Sequence, residues 1–114
     1  MSLTIYHNPR CSKSRMTLAL LREHGHEPTV IEYLKTPPDG VTLKAALAAM
    51  GCGPRDILRA KEAAEAGLDD PSLDDDALID LMVKTPIVIE RPLVTNGTKA
   101  AMGRPPEAVL DILD

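Results

Sequence analysis

Ten prolines in 114 residues are nearly twice the usual share of about 5%, and they dictate where regular structure starts and stops. Proline locks its own φ and has no N–H to donate, so it is kept out of helix interiors and central strands. The chain must therefore be assembled from short elements. Leu3 to Tyr6 alternates like a strand, residues 7–10 (His-Asn-Pro-Arg) read as a loop, and Ser12 to His24 reads as a helix. In that helix Leu18 and Leu21 point inward, and Gly25 stands just past its end. Thr29 to Leu34, rich in β-branched residues, is a second strand, stopped by the Thr-Pro-Pro-Asp-Gly run at 36–40. The opening unit is β-α-β.

From Thr42 the periodicity changes. Leu43, Ala46, Leu47 and Met50 recur at helical spacing, with Thr42 as the expected N-cap and Gly51 at the far end. Pro54 suits the first turn of another helix carrying Ile57 and Leu58. Asp74, Asp75 and Asp76 open a third, whose Leu78, Leu81 and Met82 share a face and which ends near Lys84. Residues 42–84 are thus expected to be a helical block. Beyond it, Leu93–Thr95 and Thr98–Met102 flank Asn96-Gly97, the pattern of a two-residue type I′ hairpin. A final helix is expected from Pro105, burying Val109, Leu110, Ile112 and Leu113.

The order β-α-β, helical block, β-β-α predicts a single α/β domain over residues 1–114. Its mixed four-stranded sheet has parallel first strands joined by a right-handed crossover and an antiparallel final pair. This resembles a thioredoxin-like core with a helical insertion, residues 42–84, between the second and third strands. Hydrophobic residues are 44% and charged residues 26% of the chain, as in ordinary globular domains. With 13 Lys plus Arg against 17 Asp plus Glu, a net charge of −4, no Phe, no Trp and two Tyr, neither the cationic surface nor the stacking platforms of a nucleic-acid binder are present. The longest purely apolar run, Ala45 to Met50, is far below the roughly 20 residues needed to span a bilayer. The N-terminus lacks the basic start and apolar stretch of a signal peptide, so the expected location is the cytoplasm. There two cysteines 41 positions apart are expected to remain reduced thiols.

Cys11 falls where the first loop meets the first helix. Unpaired N–H groups and the positive end of the helix dipole favour its thiolate, and the same amides suit a tetrahedral oxyanion. Arg10, Lys13 and Arg15 add cations nearby, His7 offers a donor or a positive charge, and Ser14, one turn on, is within reach of the sulfur through its hydroxyl. Taken alone, a cysteine is more often a small buried hydrophobe, and the surrounding cations also fit a solvated helix face. The combination points to an activated nucleophile. A Cys-x5-Arg phosphatase loop is excluded by Thr17, and a Cys-x-x-Cys pair by Ser14. No Walker A loop, dinucleotide loop or zinc spacing exists. A monothiol mechanism remains, with its second thiol supplied from outside or by Cys52.

The segments 6–15 (Tyr-His-Asn-Pro-Arg-Cys-Ser-Lys-Ser-Arg), 57–59 (Ile-Leu-Arg), 90–94 (Glu-Arg-Pro-Leu-Val) and 103–107 (Gly-Arg-Pro-Pro-Glu) together resemble the glutaredoxin-coupled arsenate reductases. The likeness runs through nearly the whole chain, with the four motifs in order. It implies Cys11 as nucleophile, His7 lowering its pKa, Ser14 assisting, and Arg59, Arg91 and Arg104 clamping the arsenate oxygens. Arginine forks match such an oxyanion and offset its repulsion from a thiolate. The resemblance also implies a cis peptide before Pro92, and a monomer that uses glutathione and glutaredoxin as electron donors with no bound metal or organic cofactor. Two other functions stay open on the sequence. One is a non-catalytic thioredoxin-like regulator that binds RNA polymerase. The other is a general glutathione-dependent oxidoreductase acting on a different oxyanion.

Overall fold

The computed structural model describes residues 2–113; Met1 and Asp114, the ends of the expected domain, lie outside the described residues. Four strands form one mixed sheet: β1 (Thr4–His7), β2 (Thr29–Glu32), β3 (Leu93–Thr95) and β4 (Ala100–Met102), in the spatial order β2-β1-β3-β4. β1 runs parallel to β2, with Thr4 opposite Thr29 and His7 opposite Glu32. It runs antiparallel to β3, which in turn pairs antiparallel with β4. The parallel pair is joined by helix α1 (Ser12–Glu23), as a β-α-β crossover requires.

The pleat sends alternate residues of β1 to opposite faces, and each face has its own core. Leu3 and Ile5 pack with Leu21 of α1, Val94, Val109 and Ile112. Tyr6 joins the other side, where Leu43, Leu47, Leu78, Met82, Val88 and Leu93 gather beneath the helical insertion. Leu21 and Leu78 are fully buried, and cutting either back to Ala is expected to cost about 2–5 kcal/mol. The insertion comprises α2 (Gly40–Met50), a 3-10 turn over Pro54–Ile57, α3 (Ala60–Ala66), α4 (Asp75–Lys84) and a second 3-10 turn over Pro86–Val88.

Several boundaries differ from the sequence reading, each for a local reason. Asp39, not Thr42, caps α2: its carboxylate accepts the Thr42 N–H at 2.7 Å, because a charged acceptor is available one turn earlier. β2 ends at Glu32, whose carbonyl accepts from Lys35 and Thr36 in a tight turn. The helix expected from Pro54 is only a 3-10 turn; Leu58 is extended and a separate α3 begins at Ala60. The hairpin turns one residue late. Asn96 and Lys99 face each other, and the positive φ falls on Gly97 alone, the first central position of a type II′ turn rather than both centres of type I′. Asn96 Oδ1 accepts from Thr98 and Lys99 N–H and holds that register. The terminal segment, Pro106–Ile112, is 3-10 rather than α, with Val109 and Ile112 buried and Leu110 and Leu113 partly buried. The Arg91–Pro92 peptide is cis as expected, and so is Arg104–Pro105. No helix among the described residues is long and apolar enough to cross a membrane.

Candidate active site

Cys11 is the N-cap of α1, in extended conformation (φ −92°, ψ 122°). Asn8 folds the preceding loop around it: its carbonyl accepts the Cys11 N–H at 3.0 Å, and its Oδ1 accepts the Arg10 N–H at 3.0 Å. Cys11 is buried, and the N–H groups of the first turn favour charge on its sulfur. Burial by itself pushes the thiol pKa up. The Ser14 N–H, the Arg91 guanidinium and the Lys13 N–H outweigh that effect and hold it below the ordinary value.

The side chains nearest in sequence behave differently from the expectation drawn for them. Arg15 donates to the Pro9 carbonyl at 2.9 Å and so braces the loop. The cation that acts on Cys11 is Arg91, some eighty positions further along the chain. Ser14 is fully buried. Its hydroxyl accepts the Asn8 N–H at 3.0 Å and lies 2.6 Å from His7 Nδ1, so it is the Ser14 backbone that meets the sulfur while the hydroxyl ties β1 to α1. This suits a ring protonated at Nε2, with Nδ1 accepting the Ser14 proton. Burial holds the His7 pKa below its ordinary value, with Arg22 and Arg15 acting the same way and Glu32 opposing. Burial thus favours the neutral ring, and its hydrogen bond toward α1 runs to the Ser14 hydroxyl.

The three arginines are brought in by three different connections. An isolated antiparallel bridge between Leu58 and Ile89, with Arg59 N–H on Val88 O and Glu90 N–H on Ile57 O, both at 2.7 Å, lays residues 57–59 beside 88–90. Arg59 is thereby set opposite Val88, and its charge is felt, with that of Arg91, at the Tyr33 hydroxyl. Its Nη1 donates to Ile87 O at 3.2 Å and its Nη2 pairs with Glu62 at 3.0 Å. Arg91 precedes the cis proline, and its Nε is buried with no hydrogen-bond partner. Arg104 reaches back to donate from Nε to Arg91 O at 2.9 Å and to Glu90 at 3.1 Å. The loop carrying it lies close to α1 because Gly103 has no side chain: a Cβ there would run into Thr17 Oγ1 and stand 2.7 Å from Pro92 Cγ.

Tyr33, Glu62 and Glu90 belong to this neighbourhood without having been singled out by sequence. The buried Tyr33 hydroxyl donates to Ile89 O at 3.4 Å, and it senses the charges of Arg91, Arg59, Cys11 and Glu90. Glu62 carried a readable signal, since it stands at i+3 from Arg59. Nothing local marks Tyr33. Beside the residue 7–10 loop lies an open cleft of about 480 Å³, flanked by Glu32, Leu34, Lys35 and Ile87.

Fold and site together define a class: a thioredoxin-like domain with one thiol at a helix start, no partner cysteine in the same turn, and an arginine, Arg91, that favours charge on the sulfur. A model of the ArsC family matches residues 6–112, and the chain belongs to that family. It is 50% identical over 115 residues to an arsenate reductase of Rhizobium meliloti, covering 99% of this chain and 82% of that one. It is 52% identical over 112 residues to the uncharacterized protein YfgD of Escherichia coli, covering 96% and 94%. The solved arsenate reductase from Vibrio cholerae superposes with a TM-score of 0.92 at 49% identity, over 99% of this chain and 98% of that one.

Proposed function

We propose that this chain reduces arsenate to arsenite in the cytoplasm, with Cys11 as nucleophile and Arg59, Arg91 and Arg104 binding the oxyanion. The observation that carries this reading is Arg91. Its guanidinium favours negative charge on the Cys11 sulfur while its Nε is buried without an acceptor. A buried donor of that kind is costly unless a ligand accepts from it, and an arsenate oxygen would do so beside the attacking sulfur.

In the reaction the Cys11 thiolate forms a bond to arsenic and a hydroxyl leaves as water after protonation, giving a cysteine–arsenate adduct. Glutathione attacks that adduct at sulfur, so that two thiol electrons pass to arsenic and lower it from the pentavalent to the trivalent state. Arsenite departs, and glutaredoxin returns Cys11 to the thiol by exchange. The balance is one arsenate and two thiols giving one arsenite, one disulfide and water. Ser14 at the third position after Cys11 supports an external second thiol. His7 and Ser14 act as a linked pair that keeps the first turn of α1, and hence its N–H groups, in place under the sulfur.

The test is coupled turnover with arsenate, glutathione, glutaredoxin, NADPH and glutathione reductase. Arsenate-dependent NADPH oxidation that disappears in Cys11→Ser is the expected result. Turnover that is absent in the wild-type protein, or that survives the Cys11 change, overturns the assignment.

A further inference from the structure

Glu90 stands between two of the three arginines. Its Oε1 is 3.5 Å from Arg91 Nη1 and 3.1 Å from Arg104 Nε, and it also accepts the Arg91 N–H at 3.4 Å. Its own backbone is fastened to Ile57 O, so the carboxylate hangs from the same bridge that sets Arg59. These contacts use the inner nitrogen of Arg104 and one outer nitrogen of Arg91. Among the described residues, both outer nitrogens of Arg104 are left without a partner.

We propose that Glu90 is a positioning residue, fastening Arg91 and Arg104 so that their remaining N–H groups converge on one oxyanion beside Cys11. The inference rests on the arginine clamp proposed above and adds to it the element that orders the clamp before substrate arrives. A long arginine on a loop loses rotamer freedom when it binds, and an anchor that fixes it beforehand spares that cost at the binding step. The ion pairs are partly exposed, with side chains 15%, 30% and 36% accessible for Arg91, Glu90 and Arg104. Exposed pairs contribute little to folding, so the effect of Glu90 belongs in ligand binding.

A mere counter-charge makes the opposite forecast. Removing a carboxylate raises the positive potential and tightens anion binding, whereas removing an anchor loosens it. Two variants separate these. Glu90→Gln keeps the acceptor oxygen and loses the charge; Glu90→Ala loses both. The readout is protection of Cys11 from iodoacetamide by arsenate, which measures binding without turnover. We expect Glu90→Ala to weaken protection about 10-fold, as for loss of a charge-assisted hydrogen bond, and Glu90→Gln to bind at least as tightly as wild type. Should Glu90→Ala fail to fold, Glu90→Leu, of similar volume to glutamate and without an acceptor, takes its place.

Tighter or unchanged binding by Glu90→Ala overturns the proposal, and so does equal weakening by both variants. Sulfate is run in parallel. If sulfate protects the wild-type thiol and arsenate does not, the arsenate assignment fails while the same variants still decide the role of Glu90. If neither anion protects it, there is no clamp to order and the Glu90 proposal falls with it.

Discussion

Cys11 and Cys52 sit at opposite ends of helices. Cys11 opens α1, facing the unpaired N–H groups of its first turn. Cys52 follows Gly51, which ends α2 in left-handed conformation (φ +69°), where carbonyl oxygens gather. Burial pushes both thiols up. At Cys11 the backbone N–H groups and Arg91 reverse the shift, while at Cys52 the nearby Asp56 adds to it. Helix polarity and one charge brought from elsewhere in the chain therefore favour the thiolate at Cys11, while the surroundings of Cys52 disfavour it.

The largest expected effect breaks or keeps that contrast directly. Cys11→Ser should abolish arsenate-dependent NADPH oxidation and Cys52→Ser should leave it largely intact; comparable losses from the two would mean an intramolecular dithiol route. Next come the arginines. Replacing Arg59, Arg91 or Arg104 by Lys keeps a charge but loses the fork, and each change should lower kcat/KM about 10-fold to 150-fold, from roughly 1.5–3 kcal/mol per charged hydrogen bond. Iodoacetamide needs no anion clamp, so its rate at Cys11 should hold in the Arg59 and Arg104 variants. Arg91→Lys should slow both reactions because Arg91 also acts on the sulfur. A uniform fall in both assays for all three would assign the arginines to the fold.

Gly103→Ala tests how the loop carrying Arg104 is seated against the helix that carries Cys11. The added methyl has to displace Thr17 or Pro92, and overpacking of this kind costs about 1–3 kcal/mol. A denaturant midpoint equal to wild type would show that the loop moves freely. The smallest effect concerns His7, whose folded-state pKa is depressed. The unfolded chain then binds the proton more readily, so stability present above the ordinary imidazole value of about 6.5 is lost as pH falls through that value toward the depressed folded one. Denaturant midpoints measured against pH should show this loss in the wild type and a shallower one in His7→Gln; parallel curves would remove the buried-neutral assignment.

The two halves of the site were unequally legible in the sequence. Residues 4–17 are contiguous, and period-two alternation, a proline loop and a helix start are enough to place Cys11 at an N-terminus. The placement of Arg59, Arg91 and Arg104 depends on contacts that no local pattern encodes. The Leu58–Ile89 bridge joins a segment that reads as helix to one that carries no element signal, and Gly103 matters only because α1 passes beneath it. Arg59, Arg91 and Arg104 stand out in the sequence only through the resemblance of four motifs in order. Tyr33 and the contact between Glu90 and Arg104 carry no local signal, since their partners lie far along the chain. The same division holds for the fold. The parallel first pair and the antiparallel last pair follow from the β-α-β opening and the closing hairpin, whereas the exact turn and cap positions go to Gly97, which takes the positive φ, and Asp39, whose carboxylate accepts a backbone N–H.

The rate of alkylation of each cysteine against pH, resolved by mass spectrometry of the wild-type protein, measures the activation of Cys11 and of Cys52 at once. Cys11 should titrate with a midpoint below the free-thiol value of about 8.5 and Cys52 with a midpoint above it. Coincident midpoints, or a Cys11 midpoint at or above the free-thiol value, would contradict the claim that α1 and Arg91 make Cys11 a nucleophile.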